Sequence, residues 1–198
     1  MPPRRCSGQA VRLSACIVAA VLLVACGDPP NKEMDQAQGA IDAARAAGAD
    51  RYASTEYTAA TDALKRAQDA VGQRDYRQAL NEALDSREHA QNAAREAADT
   101  KAQLRGEVER DMAQIAALIA EANTRLNAAT RARIPRRTLD GPRKELAAVD
   151  ESVQKAGAAM RADDYLAART ALQGVKERIT QALRALETPA VQSSRRTR

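Results

Sequence analysis

The chain has 198 residues, 44% of them hydrophobic and 29% charged, but only 2% aromatic: four Tyr, no Phe and no Trp. Lys and Arg outnumber Asp and Glu by 31 to 26, yet the excess sits at the ends. Without Arg4, Arg5, Arg12, Arg195, Arg196 and Arg198 the balance is 25 basic to 26 acidic residues. A body this close to neutral, with almost no rings to stack bases, excludes a nucleic-acid groove.

Residues 1–25 carry Arg4, Arg5 and Arg12 and no acid, and Leu13 to Ala25 is apolar apart from Ser14. A basic start followed by an apolar stretch of about 7–15 residues is the pattern of a secretory signal. It is too short to span a bilayer, which takes roughly 20 apolar residues. The tetrad Leu23-Val24-Ala25-Cys26 resembles the bacterial lipobox. That resemblance implies a diacylglycerol on the Cys26 thiol, cleavage before Cys26, and acylation of the new amine by a chain such as palmitate. Cys6 and Cys16 fall in the segment to be removed, so the mature chain is expected to lack a free thiol and a disulfide. Two or three acyl chains suffice for stable anchoring. Gly27 stands where lipoproteins kept in the inner membrane often carry aspartate, which favours the outer membrane, inner leaflet, facing the periplasm.

Residues 26–32 read as a lipidated tether, with Pro29 and Pro30 resisting helix and Asn31 placed to cap the first one. Met34, Ala37, Ile41, Ala44 and Gly48 then follow the 3-4 spacing of one buried helix face. The stretch GADRYAS breaks that helix. Ser54 or Thr55 can cap the next, striped by Tyr57, Ala60, Leu64, Ala67 and Val71, and GQRD turns the chain again. From Tyr76 the stripe runs Leu80, Ala83, Ala90, Ala94, Ala97, Leu104, Val108, Ile115, Leu118 and Ala122, interrupted by Arg87, Lys101 and Asp111. No proline intervenes before Pro135, so one helix is expected over 74–132, about 90 Å long at 1.5 Å per residue. The alternative is two helices breaking near Thr100 to Gly106. RIPRRTLDGP ends this segment. Leu139, Leu146, Val149, Val153, Ala156 and Met160 mark a fourth helix with Pro142 in its first turn. RADD turns the chain, and Tyr165, Ala168, Leu172, Val175, Ile179, Leu183 and Leu186 mark a fifth. Pro189 is expected to stop it, and 188–198 reads as a disordered basic tail.

RDYRQALNEAL at 74–84 echoes DDYLAARTALQ at 163–173, each after a striped helix and a tight turn. Duplication of a three-helix unit and chance likeness between alanine-rich helices both fit. The expected fold is all-α: an elongated antiparallel bundle of about five helices, two three-helix units (33–100 and 101–187) sharing a long central helix. Its stripes are mostly alanine, which favours helix but buries little area. The four tyrosines are expected to plug bundle ends.

The segment AIDAARAAGADRYASTEYTAATDALKRAQDAVGQRDYRQALNEALDSREHAQNA resembles the family of unknown function numbered 4398, small helical modules common in bacterial envelope lipoproteins. The likeness lies in the Gly48-Ala49 turn with Tyr52-Ala53, in Glu56, in the Ala60-Leu64-Ala67 stripe, and in Asp75-Tyr76 followed by Ala79, over about 33–100. It implies an architecture and a location, and no reaction. Some relatives carry a peptidoglycan-binding domain of the OmpA type, of which this chain has no strand-helix alternation.

No catalytic constellation, metal-ligand cluster or cofactor motif is legible. The only histidine, His89, lies on a polar helical stretch and reads as a surface residue. The leading expectation is a lipid-anchored envelope protein acting as a structural or protein-interaction module, not an enzyme, held to the membrane through Cys26 and meeting an envelope protein. The alternative is a binding module for cell-wall polymer such as peptidoglycan, or for lipopolysaccharide, through the turn bearing Arg131, Arg133, Arg136 and Arg137. Heptad-like spacing would also let the long helix pair with a second copy, so monomer and dimer both stay open.

Overall fold

The computed structural model describes residues 28–196, with side chains as far as 187. The leader, Cys26 and Arg198 lie outside the described residues, as do the side chains of Arg195 and Arg196. All regular structure among the described residues is helical: α1 (Asn31–Ala46), α2 (Ala49–Tyr52), α3 (Ser54–Gly72), α4 (Tyr76–Arg131), α5 (Arg136–Arg161), α6 (Tyr165–Leu172) and α7 (Val175–Arg196). Helix α4 runs its 56 residues as one element, so the break weighed near Thr100 to Gly106 does not occur. The chain divides into two compact units between Ala97 and Ala98, within α4.

The first unit is built from α1, α2, α3 and the N-terminal part of α4. Its buried stripes are Ala37, Ile41 and Ala44 on α1, Ala60, Ala63, Leu64, Ala67 and Ala70 on α3, and Ala79, Ala83, Ser86, Ala90, Ala93 and Ala97 on α4. The α4 stripe is thus one residue out of phase with the expected one at three places. Ala79 is buried in place of Leu80, Ser86 in place of Arg87, and Ala93 in place of Ala94, while Leu84 stays exposed. The cause is steric. Interaxial distance follows the side chains at the contact, and a seam of Ala and Ser lets backbones close in where Leu would hold them apart. Ser86 is fully buried, and its Oγ donates to the Ala60 carbonyl at 2.8 Å. A polar residue fits this stripe because it is small and its hydroxyl is satisfied.

Polar contacts around the seam fix its register. Arg87 donates to Gln36 at 2.7 Å, tying α4 to α1. Arg66 pairs with Glu82 at 2.7 Å, and His89 Nδ1 lies 2.8 Å from Glu56 Oε2, tying α4 to α3. His89 is therefore a half-buried, partnered residue rather than a free surface one. Arg45 Nε donates to the Tyr57 hydroxyl at 2.7 Å. Tyr52 and Tyr165 are buried at helix ends, while Tyr57 and Tyr76 are only half-buried.

The second unit combines the rest of α4 with α5, α6 and α7, and its core has larger side chains. Val108 and Ile115 from α4 meet Leu146 and Val149 from α5, Leu172 from α6, and Val175, Ile179 and Leu183 from α7. Every apolar residue expected on the fifth helix is buried. That helix is nonetheless two. Gln173 is extended (ψ 127°) and Gly174 takes φ 74°, a left-handed value at which glycine carries no Cβ penalty. The break was invisible to periodicity because Leu172 and Val175 keep the three-residue step across it.

Four helix boundaries also differ from expectation. Pro30 and Ala53 hold the cap positions, so Asn31 and Ser54 open α1 and α3 instead of capping them. Helix α5 begins at Arg136, which puts Pro142 inside it, buried, rather than in its first turn. Helix α7 continues past Pro189 to Arg196. A proline removes one N–H from the ladder and can bend a helix without ending it.

The turns after α3, α4 and α5 share one hydrogen-bond pattern. Each places a non-glycine residue in the left-handed region: Arg74 (φ 61°), Arg133 (φ 55°) and Asp163 (φ 55°). The next amide returns to the carbonyl five residues back in each: Asp75 to Ala70 (2.9 Å), Ile134 to Ala129 (3.2 Å) and Asp164 to Ala159 (2.9 Å). This is the Schellman stop, usually built on glycine. After the first and third turns an aspartate caps the next helix, Asp75 Oδ1 accepting from Gln78 N and Asp164 Oδ1 from Ala167 N, both at 3.0 Å.

Two stability outcomes are expected. Ser86→Ala should cost about 1 kcal/mol, the worth of one net hydrogen bond, whereas Ser86→Leu should cost about 1–3 kcal/mol or more by overpacking. Chemical denaturation measures both, and an equal cost would deny the close approach of α3 and α4. Arg74→Gly should stabilise by up to about 1 kcal/mol, by relieving a left-handed residue that carries a Cβ. A lowered melting temperature would contradict the turn geometry.

Candidate functional site

Arg131 closes α4, Arg133 sits in the left-handed turn position, and Arg136 and Arg137 open α5. The arginines therefore do not share one long turn, as the sequence suggested. Only residues 132–135 link the two helices, and the four side chains ring the tip of a helical hairpin. All four are exposed. No carboxylate pairs with any of them among the described residues.

The tip is held from below. Ala129, Leu139 and Leu186 form a small buried cluster of their own, against which Leu126 and Ile134 pack. Ile134 is the largest apolar side chain of the link and is half-buried against this cluster. Thr130 Oγ1 donates to the Leu126 carbonyl at 2.8 Å and accepts from Arg143 Nη2 at 3.4 Å. One turn lower, Arg125 bonds Glu187 and, at 2.6 Å, Glu121. Glu187 first, then Glu121, raises the Arg125 pKa above its ordinary value.

Charge is distributed unevenly around this tip. Residues 131–144 hold Arg131, Arg133, Arg136, Arg137, Arg143 and Lys144 against Asp140 alone. The first turn of α5 contains no acid, and its cap residue Pro135 makes no side-chain bond. Arginines at a helix start oppose the helix dipole, which favours anions there. The cluster is self-repelling by construction and would be stabilised by an anion.

A cleft lies where α6 gives way to α7. This cleft of about 470 Å³ is lined by Asp111, Leu166, Arg169, Gly174, Lys176 and Glu177, among others. Lys176 Nζ donates to Asp111 Oδ1 at 2.5 Å and to Gln114 Oε1 at 2.6 Å, so its charge is already met. The lining mixes both signs without a nucleophile beside a base. Among the described residues no three His, Cys, Asp or Glu side chains are placed to hold a metal ion. No helix among them is long and apolar enough to cross a membrane.

Cys26, the expected lipidation residue, lies outside the described residues. The remaining candidates, Arg131, Arg133, Arg136 and Arg137, are brought together at one tip. Sequence reasoning missed Ser86, whose place in the 3-4 series with Ala79, Ala83, Ala90, Ala93 and Ala97 was the available signal.

No curated protein and no solved structure matches the chain. Residues 32–108 match the model of the family described as a domain of unknown function (DUF4398), so the first helical module of the chain is of that family's type.

Proposed function

We propose that the protein is a lipid-anchored module of the bacterial envelope, facing the periplasm, whose helical units serve a structural or protein-interaction role rather than a catalytic one. The observation that carries this reading is the leader: a basic start, an apolar stretch of 13 residues, and Leu23-Val24-Ala25-Cys26 at its end. The first helical module follows within a few residues of Cys26, since α1 begins at Asn31. An acyl-cysteine so close to a folded unit would hold that unit at the membrane surface. Gly27 favours the outer membrane by the resemblance stated above. A second reading, a binding module for cell-wall polymer or lipopolysaccharide, is favoured by the basic hairpin tip.

Metabolic labelling with an alkyne fatty acid tests the anchor. The natural protein should take up label and sediment with membranes, and Cys26→Ser should abolish the label. Label retained by the Cys26→Ser variant, or a natural protein that never acquires it, would refute lipidation at this residue. Photo-crosslinkers on exposed helical positions in living cells would then read the partner. A discrete heavier protein band supports an adaptor, and wall fragments alone support the binding module.

A further inference from the structure

We propose that the α4–α5 hairpin tip is a docking surface for phosphate groups displayed on an amphiphile surface, with Arg131, Arg133, Arg136 and Arg137 as the contacting side chains. The inference deepens the envelope reading and rests on it only for where such phosphates would be met.

Three observations converge. The first is the charge map: residues 131–144 carry six basic side chains and one acid, while the rest of 28–187 carries 19 basic against 25 acidic residues. A cationic tip on an otherwise anionic body orients toward an anionic surface and keeps the body away from it. The second is pairing. In the same unit Arg105, Arg125, Lys155, Lys176 and Arg178 each meet a carboxylate; among the described residues Arg110, Arg161 and Arg169 meet none but lie apart on three helices, whereas the four unpaired tip arginines fall within seven residues. Their charge is not used within the fold. The third is chemistry and placement. Five of the six cations are arginine, whose planar fork bonds two phosphate oxygens at once. They flank a link pinned by Ile134, so the display is fixed by packing. A phosphate monoester offers this self-repelling cluster more acceptor oxygens and more charge than a carboxylate, and a phosphodiester headgroup offers one charge and two free oxygens on a surface that displays many copies.

The chain has no tryptophan, so Ala132→Trp, at an exposed position within the tip, gives a single-site reporter. The full-length protein in nonionic detergent is titrated with micelles doped with phosphatidylglycerol, with micelles doped with the bis-phosphorylated glycolipid lipid A, and with polyglutamate as a carboxylate polyanion. The expected result is an emission change with one or both phosphate-bearing micelles. Replacing the four arginines by glutamine should weaken the half-saturation point by roughly a thousandfold. Raising salt from about 0.05 M to about 0.5 M should weaken it as well. A response to phosphatidylglycerol alone identifies a phospholipid headgroup, and one to lipid A alone a phosphorylated glycolipid. Equal or stronger response to polyglutamate, response to neither phosphate surface, or response unchanged in the glutamine variant would overturn the proposal. The exposed arginines make no core contact, so circular dichroism should show the same helicity in the variant and separate lost docking from lost fold. The titration does not depend on acylation. A failed fatty-acid label with intact tip binding would sink the anchor alone, and the reverse result would sink only the tip.

Discussion

A helix of 56 residues cannot bury one face by itself, and this constraint organises the protein. Helix α4 finds cover twice. From Tyr76 to Ala97 its stripe lies on α1 and α3, and from Leu104 onward it lies among α5, α6 and α7. The side chains change where the cover changes. Alanine and one serine face the first set of neighbours, and Leu104, Val108 and Ile115 face the second. Close approach with little apolar area holds the first core, and larger hydrophobic contact holds the second. Polar contacts cross both cores, as from Lys176 to Asp111 and from Arg178 to Glu145 in the second. Ser86 bonds into α3, and Arg87, His89 and Glu82 reach across to α1 and α3.

The three matching turns show what a shared backbone solution does and does not say about ancestry. All three carry a left-handed Arg or Asp and the same return hydrogen bond. The turn at Arg133 has no sequence echo of the others, so the stop alone is a local answer to ending a helix. The turns at Arg74 and Asp163 share more: a capping aspartate, a tyrosine directly after it, and a buried alanine three residues beyond that, at Ala79 and Ala168. These features lie at the offset of 89 residues that the sequence echo already has.

The paired and unpaired charges divide labour in the same way. Ion pairs along the helices, such as Arg105 with Glu109 and Lys155 with Glu151, are exposed and contribute little to stability. They keep a helical surface soluble and neutral. The hairpin tip departs from that pattern at the start of α5, where Arg136 and Arg137 stand against the helix dipole, whereas Arg131 at the end of α4 stands where the dipole favours a cation.

Sequence alone determined the helical class, the turns near 48, 74, 133 and 163, and the seven buried positions from Tyr165 to Leu186, and it favoured one long α4 over two helices. Each follows from local rules: 3-4 periodicity, helix propensity, and the absence of proline between Tyr76 and Pro135. It also carried the likeness of the first module to its family, because alanine spacing and turn residues are visible in one dimension. Tertiary structure decided the rest. It chose the phase of the seam at 79, 86 and 93, since Leu80 and Ala79 compete only when a neighbouring helix sets the distance. It partnered His89 with Glu56, 33 residues away. It split the last helix at Gly174 without disturbing the apolar step, and it gathered four arginines from two helices onto one tip. These outcomes depend on what lies across the interface, and periodicity along one chain holds no record of the far side.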